Sequence, residues 1–209
     1  MTRYTLDVAA EWFLRLNGFL TVLNFVVHPV GPREGTVQRT DADVLGVRFP
    51  HRHEVVGGDP LIDHDAFHGA PRTLFVISEV KSGRCSLNGP WSRPEDENVL
   101  NVLRSFGPIS PEELDEVAQQ LYENGRFQSE RFEARLLCFG SSTSNLPVGV
   151  LQFTWEQVFG FIHDRYRTFW QPKKQNQQWP AIGQFLWKEC KKGERDDFVS
   201  AMLEHFKVP

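Results

Sequence analysis

The first third of the chain changes from a helical to a strand-like spacing of hydrophobic residues. Residues 6–16 place their apolar side chains on one helical stripe, and the Asn-Gly pair that follows is a common helix end. Residues 19–27, 44–49 and 73–81 form short apolar or alternating runs bounded by glycine and proline, which is typical of β-strands. The pattern therefore predicts one helix followed by three strands, and three sequential strands can pair as a meander.

Helices and further strands are predicted for the rest of the chain. Ser92 and Glu95 have the spacing of a capping box, and Ser110 before a proline marks a second helix start. A strand reached through a helical crossover is usually parallel to its neighbour, so we expect an α/β fold with a mixed central sheet flanked by helices. The later elements are strands over residues 131–139 and 148–153, a helix from Thr154 to about residue 168, and two additional C-terminal helices.

The length and composition favour one domain. With 209 residues, we expect a main domain over residues 1–170 and a C-terminal helical extension over residues 171–209 packed on it. The N-terminus does not resemble a signal peptide and no apolar run reaches membrane-spanning length, so we expect a cytoplasmic protein without a membrane partner. Three widely spaced cysteines fit reduced thiols better than a disulfide framework.

The formal net charge of -4 does not by itself indicate nucleic-acid binding, but the charges are unevenly distributed. Acidic residues dominate between Glu95 and Glu133, whereas basic residues cluster from Arg165 onward. One basic face could therefore meet phosphates while the rest of the surface keeps the protein soluble. The alternative is that these charges lie on ordinary solvated helix faces.

The third predicted strand is apolar along most of its length and ends in Glu79-Val80-Lys81. Side chains alternate along a strand, so Glu79 and Lys81 point the same way. Charges at the edge of a core cost several kcal/mol per unpaired ion, so this pair requires mutual neutralisation, a metal or an anionic substrate.

A second group of acids precedes the second predicted strand. Asp41 and Asp43 lie two residues apart, and they would converge with Glu79 and Lys81 if the two strands pair. Glu11 lies on the helix that comes before these strands.

This order of acids and lysine resembles the PD-(D/E)xK nuclease superfamily, which has the restriction-endonuclease-like fold. The resemblance covers roughly the first two thirds of the chain. It implies that Asp43 bridges a Mg²⁺ or Mn²⁺ ion, that Glu79 is the second ligand, and that Lys81 orients or activates the attacking water. Glu11 matches the extra acid that many members use as a further ligand. The proline that names the motif is absent, which the family tolerates.

Several of these assignments have alternatives. Asp41 could be an accessory ligand, although Asp43 adjoins the apolar strand and is held more rigidly. The set of Asp43, Glu79 and Lys81 could instead be a surface salt bridge with a solvated acid, and Glu11 an exposed helix residue.

The loop after Lys81 is a second candidate region. Arg84 could contact a phosphate and Trp91 could stack on a base, although Trp91 could also pack against the next helix. The polar insertion over residues 50–72, with four histidines, is expected to contact the substrate.

The resemblance implies a Mg²⁺-dependent endonuclease that acts on nucleic acid, with DNA as the expected substrate. The alternatives are a catalytically inactive module of the same fold that binds nucleic acid or protein, and a phosphoester hydrolase for a smaller substrate. A homodimer or a partner protein is compatible with either. Without a glycine-rich phosphate loop or a serine elbow, the sequence gives no indication of the common nucleotide-binding or esterase classes.

Overall fold

A computed structural model describes residues 4–27, 40–174 and 179–209. The order of helices and strands along the chain largely follows the order that the hydrophobic pattern predicts. In the described part of the chain, none of the helices has the length and hydropathy needed to span a bilayer. The strands are β1 (Leu20–Val27), β2 (Thr40–Arg48), β3 (Val55–Val56), β4 (Asp59–Pro60), β5 (Thr73–Val80), β6 (Arg126–Gln128), β7 (Phe132–Gly140) and β8 (Leu151–Thr154). The α-helices are α1 (Leu6–Leu16), α2 (Gly89–Ser92), α3 (Asn98–Phe106), α4 (Leu114–Asn124), α5 (Trp155–Thr168), α6 (Trp170–Lys173), α7 (Ala181–Cys190) and α8 (Arg195–Phe206).

Six strands of the described ranges form one mixed sheet. β1, β2 and β5 pair antiparallel as the predicted meander, and the chain then crosses through α3 and α4 to β7, which runs parallel to β5. β6 and β8 share the other edge of β7, where β6 is antiparallel and β8 is parallel to it. The prediction of a mixed central sheet flanked by helices is therefore confirmed.

Each face of the sheet has its own hydrophobic core. Side chains of α1, α5, α7 and α8 cover one face, where Phe13 lies among several aromatic rings. α3 and α4 cover the other face, where Leu121 is fully buried. The helices after residue 170 thus bury their apolar sides in the same core as α1. The three cysteines are free and buried.

Two local predictions had different outcomes. The capping box at Thr154 is confirmed, since its hydroxyl accepts the backbone N–H of Gln157 and the Gln157 side chain accepts that of Thr154. The capping box at Ser92 is wrong, because Ser92 is the last residue of α2 and its hydroxyl donates to the Asn88 carbonyl. A short 3-10 turn at Pro94–Asp96 separates it from α3.

The polar insertion between β2 and β5 is fixed to the core through Asp63. This carboxylate, 8% exposed, accepts hydrogen bonds from Arg48 at 2.6 Å and from Arg52 at 2.7 Å. Arg165 on α5 lies 3.6 Å from the same carboxylate and donates to the carbonyls of Leu16 and Ile62. One carboxylate is therefore shared by three buried or half-buried guanidinium groups.

Replacement of Asp63 should destabilise the fold strongly. In Asp63→Ala the arginines are left close together without their shared anion, so we expect a loss of about 3–5 kcal/mol in the free energy of unfolding, measured by urea denaturation. Asp65→Ala, two residues away at an exposed position, is the matched control and should change stability by less than about 0.5 kcal/mol. Equal effects of the two changes would contradict this role of Asp63.

Candidate active site

Glu79 and Lys81 meet at the end of β5, on the same side of the sheet as predicted. The Lys81 ammonium donates to Oε1 of Glu79 and, at 2.9 Å, to Oδ1 of Asn88. The other carboxylate oxygen of Glu79 accepts the indole N–H of Trp91 at 2.5 Å. Glu79 is 3% exposed, so its charge is buried but paired on both oxygens.

The backbone of Lys81 is anchored by the neighbouring elements. Its N–H donates to the Phe139 carbonyl of β7 at 2.9 Å, and its carbonyl accepts the indole N–H of Trp155 of α5 at 2.7 Å. The long side chain, 23% exposed, therefore extends from a fixed point toward solvent.

Asp43 joins this pair through the residue between them. The β2–β5 ladder ends at the pair Val44 and Ser78, and beyond it the Asp43 carboxylate accepts the backbone N–H of Val80 at 2.6 Å. The side chain takes the place of a backbone acceptor. Asp43 lies inside β2 and not before the strand as the sequence predicted. The structure thus brings together Asp43, Glu79 and Lys81.

A distortion in β1 lies opposite Asp43. The register of β1 and β2 is continuous except at Asn24 and Asp43, and Asn24 has a φ of 50°. A left-handed backbone is uncommon for a residue other than glycine, although asparagine tolerates it better than most. In β2, Val44 belongs to the core under α1, whereas Ala42 belongs to the core under α3. The alternation of side chains between the two faces of the sheet is therefore interrupted at Asp43.

Burial and neighbouring acids both disfavour the charge on Asp43. Its pKa rises from its ordinary 3.8 to about 6, mainly because the carboxyl is partly buried and further because Glu79 and Asp7 are close. The hydrogen bond from Val80 and the charge of Lys81 act in the opposite direction. Uncompensated negative charge of this kind is what a bound cation would relieve.

The acid that α1 contributes to this electrostatic cluster is Asp7. The Glu11 carboxylate accepts the hydroxyl of Thr21 on β1 at 2.9 Å, and Glu11 is not among the groups that shift the pKa of Asp43. Asp7 lies one turn earlier on the same helical face, and its pKa is raised by burial and by the charge of Asp41. Sequence reasoning missed Asp7, although its i,i+4 spacing to Glu11 could have identified it.

The two aspartates of β2 interact with different partners. Asp43 is held at the end of β5, whereas Asp41 acts electrostatically on Asp7 at the start of α1. Both therefore belong to one acidic region, with Asp43 next to Glu79 and Lys81.

Trp91 and Arg84 differ in what they can offer a substrate. Trp91 is 2% exposed and packs in the core with α3, so its ring faces are covered and its indole N–H orients Glu79. This geometry supports the packing alternative for Trp91. Arg84 is exposed, and its Nε donates to the Thr143 carbonyl at 3.1 Å. This hydrogen bond orients the guanidinium group and leaves its terminal nitrogens for a substrate.

The donor set has the chemistry of a Mg²⁺ site but is incomplete as a protein-only cage. Among the residues that the structure describes, no three side chains of His, Cys, Asp or Glu lie together as metal ligands would. Mg²⁺ usually binds through one or two carboxylates and keeps waters or substrate phosphates as its other ligands. A carboxylate has about four lone-pair sites, so the two hydrogen bonds to Glu79 do not exhaust its capacity. Asp43 and Glu79 therefore fit such an ion.

The chain has no match among protein-family models, curated proteins or solved structures. The resemblance to the nuclease superfamily therefore stays a prediction. Two carboxylates and an ammonium group at the end of a buried strand can bind a divalent cation and compensate the charge of a phosphate.

The raised pKa of Asp43 predicts a specific pH dependence of stability. The folded protein retains a proton that the unfolded chain loses, so the contribution of Asp43 to stability falls as the pH rises from about 4 to about 6 and stays low above that. Asp43→Asn keeps an acceptor for Val80 without the charge. In the presence of EDTA, it should be more stable than the wild type at pH 7.5 by about 1–2 kcal/mol, and this advantage should vanish near pH 3.5.

Urea denaturation at both pH values tests this expectation. Asp196→Asn, at a side chain that is 98% exposed, is the control and should leave the pH profile of the free energy of unfolding unchanged. A constant difference between Asp43→Asn and the wild type at both pH values would show that Asp43 does not titrate as described.

Proposed function

We propose that this protein is a metal-dependent nuclease that hydrolyses phosphodiester bonds in DNA. The observation that supports this most directly is the convergence at residues 79–81. The Lys81 ammonium contacts the Glu79 carboxylate, and Asp43 binds the backbone N–H between these two residues. Two acids and a lysine in this order on adjacent strands are what the PD-(D/E)xK resemblance requires.

Asp43 and Glu79 would hold the Mg²⁺ or Mn²⁺ ion. When bound, the ion would polarise the scissile phosphate and stabilise the charge that develops on its oxygens. The chain itself keeps both carboxylates in place without substrate, since Val80 fixes Asp43 while Trp91 and Lys81 fix Glu79. Asp7 and Asp41 add negative charge around them, which increases the attraction for a cation.

Lys81 can act on the attacking water or on the phosphate. An ammonium group has three donors, and Glu79 and Asn88 accept two of them. The third donor is available at a side chain that reaches solvent, where it can orient a water molecule or neutralise a phosphate oxygen. Arg84, exposed on the loop that follows, is in a position along the chain to contact the next phosphate.

The basic C-terminal third contributes less to a binding surface than its sequence indicates. Arg165, the first of its basic residues, is 8% exposed and neutralises Asp63 inside the protein. Exposed lysines in α7 and directly after it remain candidates for phosphate contacts, namely Lys188, Lys191 and Lys192.

An inactive binding module is the second candidate function. It is favoured by the occupation of both Glu79 oxygens and by the missing third ligand among the described residues. In such a protein the Glu79–Lys81 pair would stabilise the fold, and the acids would have no cation to bind. The two candidates therefore differ in cation binding before any cleavage is measured.

Cleavage assays test the nuclease directly. Purified protein should cleave plasmid or linear duplex DNA with Mg²⁺ or Mn²⁺ and should be inactive in EDTA, while single-stranded DNA and RNA define the substrate class. Asp43→Asn and Lys81→Met should each lower the rate by about 10²–10³-fold, since the first removes a ligand of the metal and the second removes the positive charge next to the reacting phosphate.

The control for this assay is Arg104→Ala, which removes an exposed arginine of α3. It should cleave at the wild-type rate, and circular dichroism should show that all variants are folded. If every substrate remains intact with both metals, or if folded Asp43→Asn cleaves like the wild type, the nuclease proposal fails.

Cation binding separates the two candidate functions. With the nuclease, millimolar Mg²⁺ or Mn²⁺ should raise the melting temperature of the wild type, because binding to the folded state alone stabilises it. Asp43→Asn should show little of this shift, whereas Asp196→Asn should show all of it. An identical melting temperature with and without both metals would favour the inactive module.

A further inference from the structure

A cavity lies at the C-terminal end of α1, whereas the acidic cluster of Asp7, Asp41, Asp43 and Glu79 lies near its N-terminal end. It has a volume of about 200 Å³ and is formed by the end of α1, the polar insertion, the end of α5 and the start of α7. Arg15, which lines it, is eight residues beyond Asp7, or about 12 Å along the helix axis. The cavity is therefore separate from the candidate active site.

The walls of this cavity are strongly aromatic. Tyr166 and Trp179 stack with ring centroids 5.0 Å apart, and Trp187 meets Trp179 edge-on at 4.8 Å. Trp12 and Phe169 also line the cavity. Trp179 is half-buried, whereas the other four rings are buried behind it. The indole N–H of Trp12 donates to the Tyr166 hydroxyl, whereas the buried indole N–H of Trp187 has no hydrogen-bond partner among the described residues. A cavity of this kind accommodates a flat, largely apolar group.

The charged residues around the cavity are mostly basic. Arg15, Arg52, Arg165 and Lys173 line it, and Glu54 is the one acid among the lining residues that the structure describes. Glu54 is already paired with Arg52 at 2.6 Å.

Two of the four cations are committed to the fold and two are not. Arg52 and Arg165 bind Asp63. Arg15 is exposed, with its guanidinium 5.4 Å from the Trp12 ring, and neither Arg15 nor Lys173 has an acidic partner in the described part of the chain. These two side chains supply free positive charge at the mouth of the cavity.

The combination of aromatic walls and a basic rim restricts the ligand. Aromatic rings alone would suit an alkylammonium group, but four neighbouring cations exclude a positively charged ligand. A small anion alone would leave the aromatic walls unused. The volume, below the roughly 300–1,000 Å³ of sites for drug-sized ligands, limits the occupant to one small unit.

We propose that this cavity binds a single nucleotide unit, with the base against Trp179, which is half-buried, and the phosphate at Arg15 and Lys173. Base stacking on aromatic rings contributes about 1–3 kcal/mol per base and tolerates different bases. The unit is either a free nucleoside monophosphate or one nucleotide of a single strand, since both have the same chemistry. This inference does not depend on nuclease activity, because the cavity shares no residue with the acidic cluster.

Titration of the full-length protein with nucleotides tests this site. Three of the six tryptophans line the cavity, so a stacked base should quench the intrinsic fluorescence. AMP, GMP, CMP and UMP are titrated to about 1 mM in EDTA, with calorimetry as the second readout. Adenosine and inorganic phosphate are titrated in parallel, and both should bind at least about fivefold more weakly than AMP. A single-stranded pentanucleotide is the separate arm for a strand.

Substitutions locate the binding. Arg15→Ala and Lys173→Ala should each weaken binding about fivefold, because each removes one charge from the phosphate. Leu61→Trp, at a half-buried lining position, should block the cavity while all its charges remain. Arg104→Ala, at an exposed arginine of α3 outside the lining, and Asp43→Asn in the acidic cluster should bind as the wild type does.

The outcomes are distinct. Quenching by monophosphates that is lost in Leu61→Trp supports a site for free nucleotides, and binding of the pentanucleotide alone with the same loss assigns the unit to a strand. No saturable binding in either arm, binding of phosphate as tight as that of AMP, or affinities unchanged in all three cavity variants would overturn the proposal. Cleavage plays no part in this test, so its failure leaves the nuclease proposal unaffected.

Discussion

A backbone N–H at the end of a buried strand must find an acceptor, and the arrangement of the acidic cluster follows from how Val80 meets this requirement. The β2–β5 ladder ends at Ser78, two residues before Val80, and the Asp43 carboxylate replaces the missing carbonyl. Asp43 is thereby fixed beside Glu79 and Lys81, although its pKa is raised and its charge is disfavoured. The hydrogen bond that completes the sheet thus also holds an acid in an unfavourable electrostatic position, as functional sites often do.

The rest of the cluster is held in place by neutral donors and the backbone. Trp91 of α2 donates to Glu79, and Trp155 of α5 donates to the Lys81 carbonyl, so an indole on each side of the sheet braces residues 79–81. These tryptophans belong to different cores. Packing of both layers therefore sets the positions of the charged groups, and a site of this kind is rigid before any ligand binds.

The strongly periodic parts of the fold could be predicted from the sequence. The bounds of α1, the meander of three strands and the helix capped by Thr154 follow from local spacing and capping. That Asp43 lies beside Glu79 also follows from the sequence, once β2 and β5 are taken to pair antiparallel.

Other features depend on contacts that local sequence does not encode. Whether Asp7 or Glu11 faces Asp43 is set by how α1 rests on the sheet. The burial of Trp91 depends on α3, and it displaces the helix start that Ser92 and Glu95 indicate. Three arginines meet at Asp63, and two of them, Arg48 and Arg165, are 117 residues apart in the sequence. No short stretch of sequence therefore shows them together.

Helix α1 connects the two regions of interest as a single rigid element. It spans about 16 Å with Asp7 in its first turn and Arg15 in its last, and its apolar face is packed throughout. A ligand that displaces this helix at one end must displace it at the other, since a packed helix transmits movement along its axis. Any such coupling would be reciprocal: occupation of the aromatic cavity would alter cation affinity at the acidic cluster by the same factor as the reverse.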